Sequence, residues 1–149
     1  MIASTAPQIR YPDCYGIDMS ELGKFIAFQA AVSLIQDHGY RGLLKEVAEQ
    51  CREALNSQTA KPKNYVKRVY ENFSVEQISE RIAELVAPDA LKEVTKVEII
   101  YQSVQNLHEA LPDHPGDWYF TGDYPTPGGY RVANKAFLNF YENKDGRSY

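Results

Sequence analysis

A chain of 149 residues is long enough to enclose one core, and its 44% hydrophobic and 24% charged residues are the balance of an ordinary globular protein. A net charge of −4 gives no reason to expect a nucleic-acid partner, because such binders carry basic patches. No apolar run approaches the ~20 residues that cross a bilayer, the N-terminus lacks the parts of a secretion signal, and Cys14 and Cys51 are too few for a disulfide scaffold; no membrane partner and a reduced, cytoplasmic setting are expected.

Met1-Ile2-Ala3-Ser4-Thr5 reads as the last part of a strand whose hydrogen-bonding neighbours lie elsewhere. Arg10-Tyr11-Pro12-Asp13-Cys14-Tyr15-Gly16-Ile17-Asp18-Met19 follows as a shaped loop. Pro12 fixes one backbone angle and holds Tyr11 extended, Gly16 admits a turn, and Asp18 and Ser20 are natural caps for a helical pattern beginning at Glu21. Leu22, Phe25, Phe28, Val32 and Ile35 recur at steps of three or four and form one apolar stripe, which Gly39 closes. Leu44, Val47, Ala48, Cys51, Ala54 and Leu55 form a second. Asn56 to Lys63 is a polar connection, and Val66, Val69, Tyr70 and Phe73 predict a short third helix.

Ser74-Val75-Glu76-Gln77 has the spacing of a capping box, opening a helix with Val75, Ile78, Ile82 and Leu85 on one face and Pro88 at its end. Leu91 to Val94 suggests a short strand. Thr95-Lys96-Val97-Glu98 repeats the box and predicts a helix carrying Val97, Ile100, Tyr101, Val104, Leu107 and Leu111. Trp118 to Gly122 has strand-like composition. A turn-rich stretch through Gly129 then leads into a last helix with Tyr130, Ala133, Phe137, Phe140 and Tyr141, and a frayed tail from Asn143.

Chemistry-bearing patterns are few. His38, His108 and His114 share no ligand spacing with one another or with the cysteines, so no zinc site is expected, and His108 reads as a boundary residue. Phosphate-binding glycine loops and nucleophile elbows are absent from the sequence. Cys51 lies within a stripe and reads as a small core residue; Glu46, Glu49 and Glu53 fall at the spacing of a solvated helix face.

Three stretches nevertheless carry a resemblance. Ile9-Arg10-Tyr11-Pro12-Asp13-Cys14-Tyr15-Gly16-Ile17-Asp18-Met19 resembles the segment after the last core strand of the phosphoribosyltransferase domain in amidophosphoribosyltransferases. Phe73-Ser74-Val75-Glu76-Gln77-Ile78 with Ala87-Pro88-Asp89-Ala90-Leu91 is similar to that family's capped helix and its Gly-Ala-Asp-Ser-Leu run, with Pro88 for the usual alanine. Phe120-Thr121-Gly122-Asp123-Tyr124-Pro125-Thr126 resembles its Phe-Thr-Gly-x-Tyr-Pro-Thr signature. Together they cover about residues 2–27 and 73–127.

The resemblance implies a mainly α-helical fold with one to three short strands, residues 1–149 forming the C-terminal fragment of an α/β type I phosphoribosyltransferase domain. It implies a parent that makes phosphoribosylamine from glutamine and phosphoribosyl pyrophosphate, with Mg²⁺ in the parent and none in this chain. Arg10, Tyr15 and Asp18 would lie near the parent's site. The cysteines that hold an iron–sulfur cluster in some members have no counterpart before Phe120, where His114 to Tyr119 stand, so no cluster is expected. The family's N-terminal nucleophilic cysteine has Ile2 in its place and its phosphate loop is missing, so the fragment itself is expected to be structural and non-catalytic. Its expected partner is the rest of the parent.

Residues from about 28 to 72 have no counterpart in the family pattern and read as a helical insertion. Its two stripes suggest an αα-hairpin whose flanking residues, Ile26, Leu34, Leu43 and Val66, either cover the same chain or meet another subunit in a homo-oligomer. The alternative to the enzyme reading is a stand-alone helical interaction or regulatory module without activity.

Overall fold

The computed structural model describes residues 1–14, 21–57, 62–92, 94–113 and 116–144. The protein is mainly helical, with one small parallel sheet of two strands. Strand β1 (Ile2–Ser4) does have a hydrogen-bonding neighbour within the chain. It pairs with residues 99–101, Ile2 opposite Ile99 and Ser4 opposite Tyr101.

The first helix starts later than its pattern suggests. A 3₁₀ turn at Leu22–Lys24 seats the fully buried Leu22, and Phe25 then takes an extended conformation, so α1 runs from Ile26 to Asp37 without a side-chain cap. The expected caps Asp18 and Ser20 lie outside the described residues. Gly39, at φ 75°, ends the helix in the left-handed region as expected. Helix α2 (Arg41–Asn56) buries Val47, Ala48 and Cys51. The third helical pattern is a 3₁₀ turn, Tyr65–Val69, whose Asn64 cap accepts from the Val66 amide. Helix α3 (Val75–Val86) opens with the full capping box: Ser74 accepts from the Gln77 amide and Gln77 accepts from the Ser74 amide. Its buried face is Ile78, Ser79, Ile82 and Ala83, whereas Val75 and Leu85, expected on that face, are exposed.

Three expectations fail in the C-terminal half. Leu91 and Lys92 do not belong to a strand: they end α4 (Asp89–Lys92), a single helical turn after Pro88, and Val94 is exposed. The second capping box does not open a helix. Val97 to Tyr101 is rich in β-branched and aromatic side chains, β1 offers it a partner, and Ile99–Tyr101 becomes β2. The helix begins only beyond β2, as α5 (Val104–Ala110), with Ser103 accepting from the Asn106 amide, and it buries none of its residues. Trp118 to Gly122 is likewise not a strand. Trp118–Thr121 is a helical turn, α6, closed when the Gly122 amide donates to the Trp118 carbonyl. Helix α7 (Pro127–Tyr141) forms as expected, with Thr126 accepting from the Gly129 amide and Pro127 at its first position.

Helices α1 and α2 do not close on each other as a packed hairpin. α1 lies chiefly against α3, and α2 against α7, with the 3₁₀ turn at Tyr65–Val69 between them. The turn at His38–Tyr40 splays the two stripes towards different partners. Phe28 then joins the halves edge-on, its ring 6.1 Å from Phe137 and 4.8 Å from Phe140. Of the expected flank residues, Leu34 and Val66 are buried, and Ile26 and Leu43 pack half-buried against the same core, so the flank covers this chain.

A polar hub lies within the core. Asn134 of α7 is 1% exposed; its Oδ1 accepts from the Tyr65 amide at 3.1 Å and from the Cys51 thiol at 3.5 Å, and its Nδ2 donates to the Lys63 carbonyl at 2.9 Å. Three chain segments are thereby locked in register. Cys51 is fully buried, as its stripe position implies, and burial pushes its thiol up to about 12. Cys14 is half-buried. Asn134→Leu keeps the volume and strands the Tyr65 amide and the Lys63 carbonyl. It is expected to cost roughly 1–3 kcal/mol for each group left unpaired, measured by urea denaturation against the parent chain.

Candidate functional site

The segment Pro7–Cys14 is the best-held loop among the described residues. Pro12 has no amide hydrogen, and an extended, Pro-containing segment makes no ladder of its own, so its carbonyls need donors from outside. Two tyrosine hydroxyls provide them, and a third grips the loop through a carboxylate. Tyr70 Oη donates to the Arg10 carbonyl at 2.8 Å, and Tyr124 Oη to the Pro12 carbonyl at 2.6 Å. Tyr119 Oη donates to Asp13 Oδ1 at 2.8 Å, with Asp13 fully buried. The backbone closes the clasp: the Arg10 and Tyr11 amides both donate to the Tyr119 carbonyl, at 2.8 and 3.1 Å. The helical turn of α6 presents that carbonyl to the loop.

The upstream end is tied to α3. Gln8, 3% exposed, donates its Nε2 to the Val75 carbonyl and to Ser79 Oγ at 3.0 and 2.9 Å. Its Oε1 accepts twice from Arg10, from Nε at 3.1 Å and from Nη2 at 2.6 Å. The Arg10 guanidinium also lies 5.1 Å from the Tyr70 ring centroid. Arg10 is therefore half-buried and engaged on both sides by its own chain. Tyr15 and Asp18, expected beside it, lie outside the described residues.

Two glycines let the clasp close. A Cβ on Gly122, whose φ is 72°, would stand 2.5 Å from Asn64 Nδ2 and 2.9 Å from Tyr11 Cζ. Asn64 Nδ2 donates to the Gly122 carbonyl at 3.0 Å, so the backbone must come that close. A Cβ on Gly129 would run into the Tyr124 ring at 2.5 Å.

Burial holds the hydroxyls in their neutral, donating form. Desolvation raises Tyr11, Tyr70 and Tyr124 well above the ordinary phenol range, and desolvation with the Asp13 hydrogen bond pushes Tyr119 up to about 12. At neutral pH Tyr70, Tyr119 and Tyr124 thus offer the loop hydrogen-bond donors for two main-chain carbonyls and a carboxylate. This chemistry fixes a backbone shape. Among the described residues no three His, Cys, Asp or Glu side chains come together to hold a metal ion. His108, expected at a boundary, is exposed and its Nε2 lies 2.8 Å from Asp117 Oδ2. His114 lies outside the described residues. Glu46 pairs with Arg68 and Glu49 with Lys45 on the surface of α2.

Sequence reasoning singled out Arg10, but not the donors Tyr70, Tyr119 and Tyr124 or the tether Gln8. The available signal was an excess of tyrosine, eleven in the chain, beside a Pro-containing loop that needs donors. No family model matches the sequence, and no curated protein or solved structure matches it. No helix among the described residues is long and apolar enough to cross a membrane.

Gly122→Ala imposes a side chain at positive φ against Asn64 and Tyr11. It is expected to destabilise the fold by more than the roughly 1 kcal/mol that the backbone alone costs, read by thermal denaturation. Stability should also fall steeply in alkali. A tyrosine whose folded pKa exceeds its unfolded value near 10 contributes stability that is complete below pH ~10 and lost as pH rises through the folded value, because the unfolded chain gives up its proton first. For Tyr119 that window runs from about 10 to about 12. Denaturant titrations across it should give a shallower decline for Tyr119→Phe and Tyr124→Phe than for the parent chain.

Proposed function

We propose that this chain is the C-terminal portion of an amidophosphoribosyltransferase-like enzyme. In that class glutamine and phosphoribosyl pyrophosphate yield phosphoribosylamine, the first step of de novo purine synthesis. Within it the chain would act structurally, shaping the loop that follows the last core strand and buttressing it with helices; it would work in the cytoplasm with the rest of the parent as its partner.

One observation carries this reading. The three stretches that resemble the family are far apart in sequence and meet at one place. Tyr124 of the third bonds Pro12 of the first, and Gln8, just ahead of the first, bonds the Val75 carbonyl of the second. The exposed apolar side chains of the small sheet, Ile2 at 53% and Ile100 at 47%, are surfaces that further parent strands and helices would cover. Mg²⁺ would be held by phosphate-loop residues of the parent, and Arg10, Tyr15 and Asp18 would lie on the side of this chain nearest that loop. The other reading, a stand-alone interaction module, is favoured by the open groove between α3 and β2.

The test is enzymatic. The isolated chain should release no pyrophosphate from phosphoribosyl pyrophosphate above a blank. The reading frame extended upstream through a glutaminase and a phosphate loop should form phosphoribosylamine from glutamine. Pyrophosphate release by the isolated chain that Tyr119→Phe abolishes would overturn the structural role, and an extended product inert towards both substrates would overturn the family reading.

A further inference from the structure

The groove between α3 and β2, about 730 Å³, is lined on one wall by Val75, Glu80 and Ala83 of α3 and on the other by residues 95–101. No residue of β1 lines it, so it runs along the edge of β2 that faces away from β1. That edge has open backbone groups. In a parallel pair, alternate residues turn their N–H and C=O to the partner. The Glu98 carbonyl accepts from the Ile2 amide at 2.7 Å, which assigns Glu98 and Ile100 to β1 and leaves Ile99 and Tyr101 pointing their backbone groups into the groove edge. Among the described residues no third strand takes them up.

The groove has a one-sided charge. Among the described residues its walls carry Glu76, Glu80, Glu84 and Glu98 against one cation, Lys96. On α3 the three carboxylates stand four residues apart on one face and all three are exposed. Glu84 is shared with Arg81, at 2.9 Å. Between the carboxylates lies an apolar floor of Ala83, Val97 and Ile99. An open strand edge, an apolar floor and a negative rim together specify a ligand: an extended chain that pairs with β2, sends apolar side chains to the floor and presents cations to α3.

We propose that the α3–β2 groove docks an extended peptide segment of alternating basic and apolar residues, which adds to the sheet as a third strand beside β2. This goes beyond the enzyme reading, and its test involves no phosphoribosyl chemistry, so either can fail alone. The probe is fluorescein-labelled Lys-Val-Arg-Val-Lys-Val amide, titrated with the full chain by fluorescence polarisation. Saturable binding is expected, with hydrogen-exchange protection at the Tyr101 amide. Glu80→Lys should weaken it roughly tenfold and Glu80→Gln less, both with unchanged circular dichroism; Glu80 is an exposed helix position, so these variants should fold. A peptide N-methylated at alternate residues keeps its charge but cannot pair as a strand, and should not bind in the register that blocks the edge-facing amides. No binding at about 1 mM chain, equal binding of the matching Glu-Val peptide, or equal binding of both N-methylated registers would overturn the proposal. So would sedimentation showing that a second copy of the chain occupies the groove and that Glu80→Lys changes only this self-association.

Discussion

The hydrogen bonds that tyrosine hydroxyls donate to the carbonyls of Arg10 and Pro12 are the constraint on which the rest of the structure depends. A proline-containing extended segment has carbonyls and too few partners, and burying it without donors would cost the desolvation of each orphan group. Tyrosine suits the task because it brings a neutral donor on the end of a large apolar ring. The same side chain satisfies the carbonyl and fills the space around it. Tyr11 and Tyr70 show this directly, their rings edge-on at 5.5 Å beneath the loop while the Tyr70 hydroxyl reaches Arg10. Everything that delivers those hydroxyls is thereby tied to the loop: the 3₁₀ turn before Tyr70, α6 for Tyr119, and the Gly129 approach that makes room for Tyr124.

This also explains why residues from about 28 to 72, which read as an insertion, are part of the centre. Phe28, Ile35, Val47, Cys51, Val66 and Val69 are all fully buried in one continuous cluster with Phe137 of α7 and Ile78 of α3. Tyr70, at the end of that stretch, holds the loop. A stretch that supplies both core and clasp cannot be removed and leave the loop in place. The sequence suggests two stripes facing each other, but each faces a different helix, α1 chiefly against α3 and α2 chiefly against α7.

What was legible in the sequence is what local chemistry decides. The Ser74–Gln77 box, Gly39 at the end of α1, Pro127 at the start of α7 and the burial of Cys51 follow from groups within a few residues of one another. What was not legible depends on partners distant in sequence. Thr95 to Glu98 has the spelling of a capping box, yet Ile2 claims the Glu98 carbonyl for a strand pair. Trp118 to Gly122 has the composition of a strand, yet Gly122 at positive φ and the amides of Arg10 and Tyr11 favour a turn with the Tyr119 carbonyl exposed to them. Of the candidate site, Arg10 was found through its motif, while its donors were hidden because a tyrosine's role depends on what its hydroxyl meets.

The clasp and the groove sit at opposite ends of one tether, and this sets how they can influence each other. Gln8 bonds the Val75 carbonyl and Ser79 on α3, and both Val75 and Ser79 also line the groove. Ser79 Oγ in turn donates to the Val75 carbonyl at 2.7 Å, so the first turn of α3 is held by the loop as well as by its capping box. A polar path from that first turn to Arg10 runs through the Gln8 amide, whose Oε1 accepts from the guanidinium. An amide has one donor end and one acceptor end, so the same planar group bonds α3 through Nε2 and Arg10 through Oε1. Gln8→Leu, close in size but without either end, would cut this link while leaving the hydroxyl bonds of Tyr70 and Tyr124 to the loop in place.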